Sequence, residues 1–478
     1  MSHVALAETL RRHGQDHLWQ FADQLSVADR AALERQIAGI DFAQVAELFR
    51  HGVTNESHAE LAARAAAPPA FRLSGQGNPF TVAEARRAGE TALAAGQVGA
   101  VLVAGGQGTR LGFDHPKGMY PIGPVSNATL FQILIEKLVA TGLRYGVRIP
   151  LYLMTSPATH EETLAYLDAN QRFGLAAEDL IVFCQGTMPA VDAQSGRLLL
   201  EAPGRLFASP DGHGGMLAAL DKSQALADMR RRQLRQLFYF QIDNPLVEVC
   251  DPVFVGYHML AGSELSTQVV AKQQATERVG NVVSVDGQVR IIEYSDLPAD
   301  IAAQQNADGS LKLWAGNIAV HVFDVAFLER VAADDHSLPF HVARKAVPYL
   351  NERGELITPS EPNAIKFERF IFDLLPLAKQ AIVMEIDGRR VFAPVKNAPG
   401  SKTDSPETVR RQMLDLYREW LAAAGANVGA AAVEISPRFA LDATELASKI
   451  APGTTFATDT YLTCDHYSPT ESPSCCTR

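Results

Sequence analysis

Glycines and basic residues are concentrated between residues 105 and 117. Glycine lets a backbone adopt positive φ angles and brings N–H groups close to a ligand, which is expected here of Gly105, Gly106, Gly108 and Gly112. Arg110 adds a fixed positive charge and Lys117 a mobile one. Backbone amides and cations together suit a polyphosphate, so this stretch is interpreted as a polyphosphate-binding loop.

Three kinds of nucleotide-binding loop compete for this pattern. A P-loop would end in Gly-Lys-Ser/Thr, which is absent. A dinucleotide-binding loop would place an acidic residue about twenty residues past its start, and Val125 to Gln132 contain none. In the third kind, a nucleotidyltransferase loop, backbone amides grip a nucleoside triphosphate while Arg110 and Lys117 bind the phosphates being separated. A turn whose glycines serve only packing is the fourth interpretation.

The segment from Val103 to Gly112, VAGGQGTRLG, followed by PKGMY at residues 116–120, closely resembles the eukaryotic-type UDP-N-acetylglucosamine pyrophosphorylase family. The resemblance runs through several segments from about Gln97 to Ala398. It implies that UTP and a sugar 1-phosphate react to give a UDP-sugar and pyrophosphate. It also implies nucleotide contacts from Val103, Ala104, Gly105, Gly106 and Lys117, with the loop amides of 104–107 on the β- and γ-phosphates.

Two further segments resemble the uridine and sugar contacts of that family. Gln185 follows the apolar run 181–183, and its amide offers the donor and acceptor that a uracil edge requires. The glycine-dense stretch Ser209–Gly215 predicts close backbone approach to a ligand, with Gly212 assigned to the nucleotide and a helix following from Met216 to Ala225. The family has asparagine where this chain has His213, and the related UDP-glucose and broad UDP-sugar pyrophosphorylases have histidine there. The identity of the sugar therefore stays open.

Asp243 ends the apolar run 237–242. A carboxylate at the end of a buried strand is costly unless it meets a cation, and Mg²⁺ prefers few carboxylates together with phosphates. The alternative is an aspartate that caps the next turn. The resemblance places this aspartate near the nucleotide phosphates and the metal, so Asp243 is the predicted Mg²⁺ ligand.

Sugar contacts are predicted at the end of a β-hairpin. Residues 279–294 alternate as two strands joined by Asp286-Gly287, which predicts a type I′ turn. Glu293 and Tyr294 finish the second strand, and the family's Glu-Tyr pair binds the sugar there. Asn317, in Ala-Gly-Asn, resembles a neighbouring sugar contact of the family.

Two lysines complete the predicted set. Lys366 lies in residues 363–373, which are interpreted as an amphipathic helix with Phe367, Phe370 and Ile371 inward. Lys396 lies in APVKN. Most lysines are simply solvated, but both segments match the family, which implies phosphate contacts for Lys366 and both phosphate and sugar contacts for Lys396.

The implied reaction needs no general base. The second pKa of a phosphate monoester is about 6, so the attacking sugar phosphate is already largely dianionic at neutral pH. Catalysis then depends on positioning and charge neutralisation, which are assigned to Arg110, Lys117 and Lys396 with Mg²⁺ on Asp243. N-acetylglucosamine 1-phosphate is the expected substrate. The alternatives are a UDP-glucose or broad-specificity enzyme and, more remotely, a non-catalytic sugar-nucleotide sensor.

The elements that position these residues alternate between helices and buried strands. Apolar runs at 100–104, 151–154, 181–183 and 237–242 separate helical patterns, which predicts a doubly wound, Rossmann-like α/β sheet with ligands at the carboxyl ends of its strands. Capping signals at Ser26-x-x-Asp29 and Thr81-x-x-Glu84 predict helix starts. A second N-terminal helix is expected to stop at Gly52, and another helix is predicted over 407–423.

Four regions are predicted along the chain. Residues 1–70 form a helical N-terminal segment ending in an Ala-Pro linker at 65–70, residues 71–379 the nucleotidyltransferase domain, and residues 380–465 a small C-terminal α+β domain that delivers Lys396. The Ser/Pro/Thr-rich stretch 466–478, with Cys475 and Cys476, is expected to have little order.

Composition limits the function classes further. The net charge of −11 argues against general nucleic-acid binding, which needs a basic face. No long apolar run or signal-peptide core is present, so a cytoplasmic protein without a membrane partner is expected. The five cysteines show neither a disulfide framework nor zinc-site spacing. A monomer or homodimer acting on UTP and a sugar 1-phosphate is predicted.

Overall fold

The computed structural model describes residues 3–51, 58–334 and 338–464. The predicted helix stop at Gly52 and the predicted low order of 466–478, including Cys475 and Cys476, lie outside these residues.

The helices share amphipathic or buried patterns and are, in chain order, α1 (His3–Arg12), α2 (Val27–Ala38), α3 (Phe42–His51), α4 (His58–Arg64), α5 (Val82–Ala94), α6 (Leu130–Tyr145), α7 (His160–Ala169), α8 (Met216–Lys222), α9 (Ala225–Arg231), α10 (Pro252–Leu260), α11 (Ala299–Ala302), α12 (Val325–Ala332), α13 (Gly388–Val391), α14 (Pro406–Ala423) and α15 (Ala443–Lys449). The predicted capping signals are confirmed. Ser26 Oγ accepts from the N–H of Asp29 at 3.1 Å, and Thr81 and Glu84 form a complete capping box.

The strands are, in chain order, β1 (Ala70–Phe71), β2 (Val98–Val103), β3 (Leu151–Thr155), β4 (Leu180–Cys184), β5 (Thr187–Pro189), β6 (Val191–Asp192), β7 (Leu200–Ala202), β8 (Arg205–Leu206), β9 (Ala208–Pro210), β10 (Gln236–Gln241), β11 (Leu265–Ala271), β12 (Asn281–Val285), β13 (Gln288–Ile292), β14 (Ala315–Asp324), β15 (His341–Lys345), β16 (Tyr349–Leu350), β17 (Leu356–Ile357), β18 (Ala364–Glu368), β19 (Ala381–Ile386), β20 (Asn427–Val428), β21 (Val433–Ile435), β22 (Thr455–Phe456) and β23 (Thr460–Leu462).

These elements form two compact units. Unit 1 contains the described residues of Met1–Ser57, Gln185–Ala219 and Asp334–Asp373, and unit 2 those of His58–Cys184, Leu220–Ala333 and Leu374–Arg478. The predicted domain boundaries at residues 70, 379 and 465 stay predictions.

Unit 2 is built on a ten-stranded sheet in the order β1-β19-β11-β14-β10-β2-β3-β4, with β12 paired to β13 and β14. Strands β10, β2, β3 and β4 are mutually parallel, while β14 runs antiparallel to β10 and β11. Val101 and Leu102 of β2 are fully buried, as a continuous apolar run in a covered parallel sheet requires. The predicted α/β fold class is confirmed.

Two parts of unit 2 refine the sequence interpretation. The Ala-Pro stretch predicted to be a linker is tied to the sheet, because Ala66 bridges to Ser284 and Ala70 lies in β1. Strand β19 belongs to the central sheet although it follows residue 379. The hairpin β12–β13 is confirmed, with left-handed φ values of 51° at Asp286 and 82° at Gly287.

Unit 1 combines α1, α2 and α3 with small sheets, among them β15-β18-β6. Side chains from the N-terminal helices, such as Leu33 and Ile37, share one apolar core with Leu206 and Phe367. Gln15 Oε1 also accepts from the N–H of Leu198 at 2.9 Å. The N-terminal helices are therefore part of this unit's core.

The helix predicted over 363–373 is wrong. The chain forms strand β18 and then a 3₁₀ turn, Ile371–Leu377. Ile365 and Phe367 are buried while Lys366 and Glu368 are partly exposed, so the short apolar pattern has a period of two and not 3.6. The helix predicted from Met216 to Ala225 is likewise broken, because Gln224 has a φ of 63° between α8 and α9.

Candidate active site

The glycine-rich loop of unit 2 leaves β2 at the carboxyl edge of the sheet. The N–H of Ala104 donates to the carbonyl of Met154 at 2.8 Å, so this amide is already used. Ser156 Oγ donates to the carbonyl of Gly105 at 2.7 Å, and the N–H of Lys117 donates to that of Gly106 at 3.0 Å. The loop thus closes back on Lys117, and the amides from Gly105 to Gln107 remain the candidates for phosphate contacts.

The glycines in this loop have different structural environments. Positive φ was expected at four of them, but only Gly112 adopts it, with φ 67°. At Gly108 a Cβ would fall 2.7 Å from Phe113, so close packing excludes a side chain there. At Gly106 a Cβ would meet nothing within 4 Å, and the residue is exposed. Gly106 therefore leaves open space beside the loop.

Four predicted charged residues of unit 2 lie in one electrostatic environment. Burial lowers the pKa of the Lys117 ammonium, the Asp243 carboxylate opposes that shift, and the charges of Lys396 and Arg110 add to it. The N–H of Val395 donates to the carbonyl of Asp243 at 2.8 Å, which ties the lysine-bearing segment to the end of β10. The structure thus brings Arg110, Lys117, Asp243 and Lys396 together.

Asp404 joins this group and was missed by the sequence analysis. Its carbonyl accepts from the N–H of Lys396 at 2.8 Å and from that of Asn397 at 3.0 Å. Burial raises the pKa of the Asp404 carboxyl, the positive charge of Lys396 lowers it, and the negative charge of Asp243 raises it. The sequence Thr-Asp-Ser-Pro signalled only the start of α14.

The predicted sugar contacts of unit 2 gather around Gly280. A Cβ on Gly280 would lie 3.0 Å from Glu293 Oε1 and 3.7 Å from the Cβ of Asn317. Asn317 Oδ1 accepts from the N–H of Ala319 at 3.1 Å and from Thr267 Oγ1 at 3.3 Å. Its side-chain nitrogen is thereby left as the group that can donate to a ligand. Tyr294 is 48% exposed, so its ring is accessible.

Unit 1 brings Gln185 and Gly212 close together. The N–H of Asp211 donates to the carbonyl of Gly186 at 3.1 Å, and Gln185 is buried. Gly212 has a φ of 85°, and a Cβ there would fall 2.3 Å from the carbonyl of Arg369. Only glycine satisfies both constraints, so the backbone of this loop excludes any side chain at position 212.

His213 packs in an aromatic cluster of the same unit. Its ring centroid lies 5.4 Å from that of Phe370 and 5.6 Å from that of Phe372, and its Nδ1 accepts from the N–H of Ile371 at 3.1 Å. Burial, together with the charge of the neighbouring His341, lowers the pKa of His213 to about 4. The ring is therefore neutral at physiological pH, with its hydrogen on Nε2.

Lys366 and Asp211 are the remaining charged groups of interest in unit 1. The Nζ of Lys366 lies 4.9 Å from the centroid of Phe207, and burial lowers the pKa of this ammonium. Asp211 is buried, its Oδ1 has no hydrogen-bond partner, and burial raises its pKa to about 6. A Cβ on Gly215 would fall 2.1 Å from that same oxygen, so glycine alone fits against the carboxylate.

Most of the chain matches one known protein family. The family model of UTP--glucose-1-phosphate uridylyltransferase matches residues 48–401, which is most of the chain. The chain belongs to this uridylyltransferase family. The matched range contains every predicted site residue from Val103 to Lys396, whereas Asp404 lies just beyond it.

Individual relatives of this uridylyltransferase family member are similar over most of their length. The UDP-N-acetylglucosamine pyrophosphorylase of Saccharomyces cerevisiae is 41% identical over 76% of this chain and 77% of its own. The UDP-N-acetylhexosamine pyrophosphorylase-like protein 1 of Homo sapiens is 36% identical over 87% and 85%. The crystal structure of a uridine diphosphate N-acetylglucosamine pyrophosphorylase from Trypanosoma brucei superposes with a TM-score of 0.79 and 28% identity over 94% and 95%.

Two observations bear on metal and membrane binding by this uridylyltransferase family member. Across the described ranges, no three His, Cys, Asp or Glu side chains gather into a group that would hold a metal ion by themselves. Of the helices in the described part of the chain, none is long and apolar enough to cross a bilayer.

Proposed function

We propose that the chain converts UTP and N-acetylglucosamine 1-phosphate to UDP-N-acetylglucosamine and pyrophosphate. The relatives named for this activity support the proposal, as does the convergence of Arg110, Lys117 and Lys396 with Asp243 in unit 2. That convergence is the observation that carries it, because the three cations outnumber the carboxylates of Asp243 and Asp404 and so favour phosphate charge over a neutral ligand.

The reaction is a direct in-line displacement. An oxygen of the sugar phosphate attacks the α-phosphorus of UTP, and the bond from that phosphorus to the bridging oxygen breaks, so that pyrophosphate leaves. The attacking group is largely dianionic above its second pKa of about 6 and needs no base. The protein's contribution is to hold two anions together and to stabilise the charge that moves onto pyrophosphate.

Each predicted residue receives a role in this proposal. In unit 2, the loop amides from Gly105 to Gln107 with Arg110 and Lys117 bind the β- and γ-phosphates, while Lys396 binds the α-phosphate and the sugar phosphate. Glu293, Tyr294 and Asn317 bind the sugar. In unit 1, Gln185 binds the uridine, Gly212 the nucleotide, Lys366 a phosphate and His213 the sugar.

Mg²⁺ is the proposed cofactor, and Asp243 is the residue that would hold it. The donor set fits this ion, because Mg²⁺ is commonly held by one or two carboxylates with substrate phosphates and waters, without a protein cage. Asp243 offers such a carboxylate next to the cationic cluster. When bound, the ion supplies further neutralisation of phosphate charge.

A second candidate function is supported by His213. Asparagine offers both a donor and an acceptor, whereas His213 offers a ligand only the Nε2–H. A UDP-glucose or broad UDP-sugar pyrophosphorylase is therefore the alternative. A non-catalytic sugar-nucleotide sensor is the remote one, and a monomer or homodimer remains the predicted state.

Pyrophosphate release from UTP and Mg²⁺ tests the proposal, with N-acetylglucosamine 1-phosphate and glucose 1-phosphate offered in parallel. A strong preference for the N-acetyl sugar is expected. A preference for glucose 1-phosphate would favour the alternative. Binding of UTP without release from either sugar would overturn catalysis and favour the sensor.

A further inference from the structure

Asp404 has an unusual backbone conformation for a residue other than glycine. Its φ is +53°, in the left-handed region, which asparagine and aspartate tolerate better than most residues. In this conformation its carbonyl accepts two consecutive N–H groups, those of Lys396 and Asn397. The backbone of Lys396 is thus fixed by Asp404.

The conformation is stabilised from both sides. Ser405 is fully buried and caps α14 in a capping box with Thr408, which fixes the chain directly after Asp404. Asn397 Nδ2 donates to the carbonyl of Thr403 at 2.8 Å, which closes the loop directly before it. The segment 396–404 is therefore a closed loop that is anchored to a helix N-terminus.

The Asp404 carboxylate lies close enough to the same charged groups for their charges to shift its pKa. The carboxylate is half-buried and interacts electrostatically with Lys396 and with Asp243. A lysine side chain can adopt many rotamers, and Lys396 is repelled by Lys117. The nearby carboxylate offsets part of that repulsion, and the two hydrogen bonds to the Asp404 carbonyl fix the backbone from which the lysine side chain extends.

We infer that Asp404 is a positioning residue for Lys396, holding the ammonium where the phosphate of the incoming sugar is bound. This inference rests on the proposed function, since it assigns a phosphate contact to Lys396. It adds to the site a residue that lies outside the matched family range.

The test uses variants that separate the charge from the backbone. Asp404→Asn keeps the size and the tolerance for positive φ but removes the charge, whereas Asp404→Gly keeps only the backbone freedom. Asp415→Asn, an exposed carboxylate on α14, is the matched control. Asp404→Asn is expected to raise KM for the sugar 1-phosphate about ten-fold while KM for UTP and the melting temperature stay unchanged. Asp404→Gly should match it, and Asp415→Asn should behave as wild type.

A double-mutant cycle then asks whether the effect passes through Lys396. In a Lys396→Met background, Asp404→Asn is expected to cause no further loss, because the group that it positions is gone. If the double variant instead loses activity by the product of the two single-variant losses, the inference is overturned. So would a more than ten-fold weaker Mn²⁺ affinity in Asp404→Asn, because that outcome would make Asp404 a metal ligand.

A crystal structure of Asp404→Asn supplies a readout that does not depend on activity. The backbone of 395–404 is expected to be unchanged while the Lys396 ammonium is displaced or disordered. An ammonium in its wild-type position would overturn the inference even if the wild-type protein released no pyrophosphate. Failure of the proposed function and failure of this inference are thus distinguished.

Discussion

His213 accepts a hydrogen bond at Nδ1 from the backbone N–H of Ile371, at 3.1 Å. Because the accepting nitrogen carries no hydrogen, the neutral ring presents Nε2–H as its only donor. The pKa of about 4 keeps the ring in this state throughout the range in which sugar phosphates are dianionic.

Replacing His213 by asparagine is therefore expected to change sugar preference. An amide can both donate to and accept from an N-acetyl group, so His213→Asn should raise the ratio of kcat/KM for N-acetylglucosamine 1-phosphate over glucose 1-phosphate by roughly ten-fold. The ratio is measured on one protein sample, so partial unfolding cancels. An unchanged ratio would exclude His213 from the sugar contacts.

Lys117 is expected to be needed for turnover. Lys117→Ala should lower kcat by roughly 10²–10³, by analogy with the loss of one preorganised donor on a developing charge. Lys222→Ala, at an exposed lysine in α8, is the matched control. Wild-type rates in a folded Lys117→Ala protein would defeat the assignment.

Gly106 offers a test that separates ligand binding from folding. Since a Cβ there meets nothing within 4 Å and φ is not left-handed, Gly106→Ala should leave the melting temperature unchanged. The added methyl group would occupy the proposed phosphate space, so the Kd for UTP, measured by calorimetry, is expected to rise about ten-fold. Gly429→Ala, equally unobstructed and exposed, should change neither quantity. Unimpaired UTP binding by Gly106→Ala would show that the phosphates lie elsewhere.

Asp211 should make folding stability depend on pH. Its folded pKa of about 6 lies above the ordinary 3.8, so the folded state binds the proton more tightly than the unfolded state. The contribution of the Asp211 carboxyl to folding stability is therefore fully present below about pH 4 and is lost as pH rises through 6. The difference between these two pKa values corresponds to ~3 kcal/mol. Asp211→Asn is expected to be more stable than wild type in urea at pH 8 but not at pH 4. An equal difference in stability between variant and wild type at both pH values would show that Asp211 titration does not cause the pH dependence.

Asp243 is expected to bind the divalent ion together with UTP. Asp243→Asn should weaken Mn²⁺ binding in the presence of UTP, measured by electron paramagnetic resonance, because a neutral amide replaces the carboxylate. Asp296→Asn, a carboxylate after the β12–β13 hairpin, is the control. Equal Mn²⁺ affinity in both variants would remove Asp243 from the metal site.

The sequence predicted the parts of this protein in which local pattern and tertiary environment agree. The apolar run before Gly105 lies in a buried parallel strand, and the Thr81 capping box is present. Lys366 shows where such reasoning fails, because Ile365 and Phe367 are too few to distinguish a strand from a helix. The outcome depends on the partner strands β15 and β6, and β6 comes from a distant part of the chain.

Asp404 was missed for a different physical reason. Its importance depends on a left-handed φ and on two hydrogen bonds from residues seven and eight positions earlier. The local sequence Asp-Ser-Pro indicates only the start of a helix. It therefore does not predict that Asp404 has a charged partner. Only the closed loop places its carboxylate beside Lys396.

The shared core of unit 1 has a consequence for synthesis of the chain. Leu33 and Ile37 emerge from the ribosome early, whereas Phe367, which packs in the same core, is made more than three hundred residues later. At translation rates of about 5–20 residues per second, the interval is roughly 15–60 s. During that interval the apolar faces of the first helices lack the part of their native core that Phe367 and its neighbours supply. The core of unit 1 is therefore completed only late in elongation or after release from the ribosome.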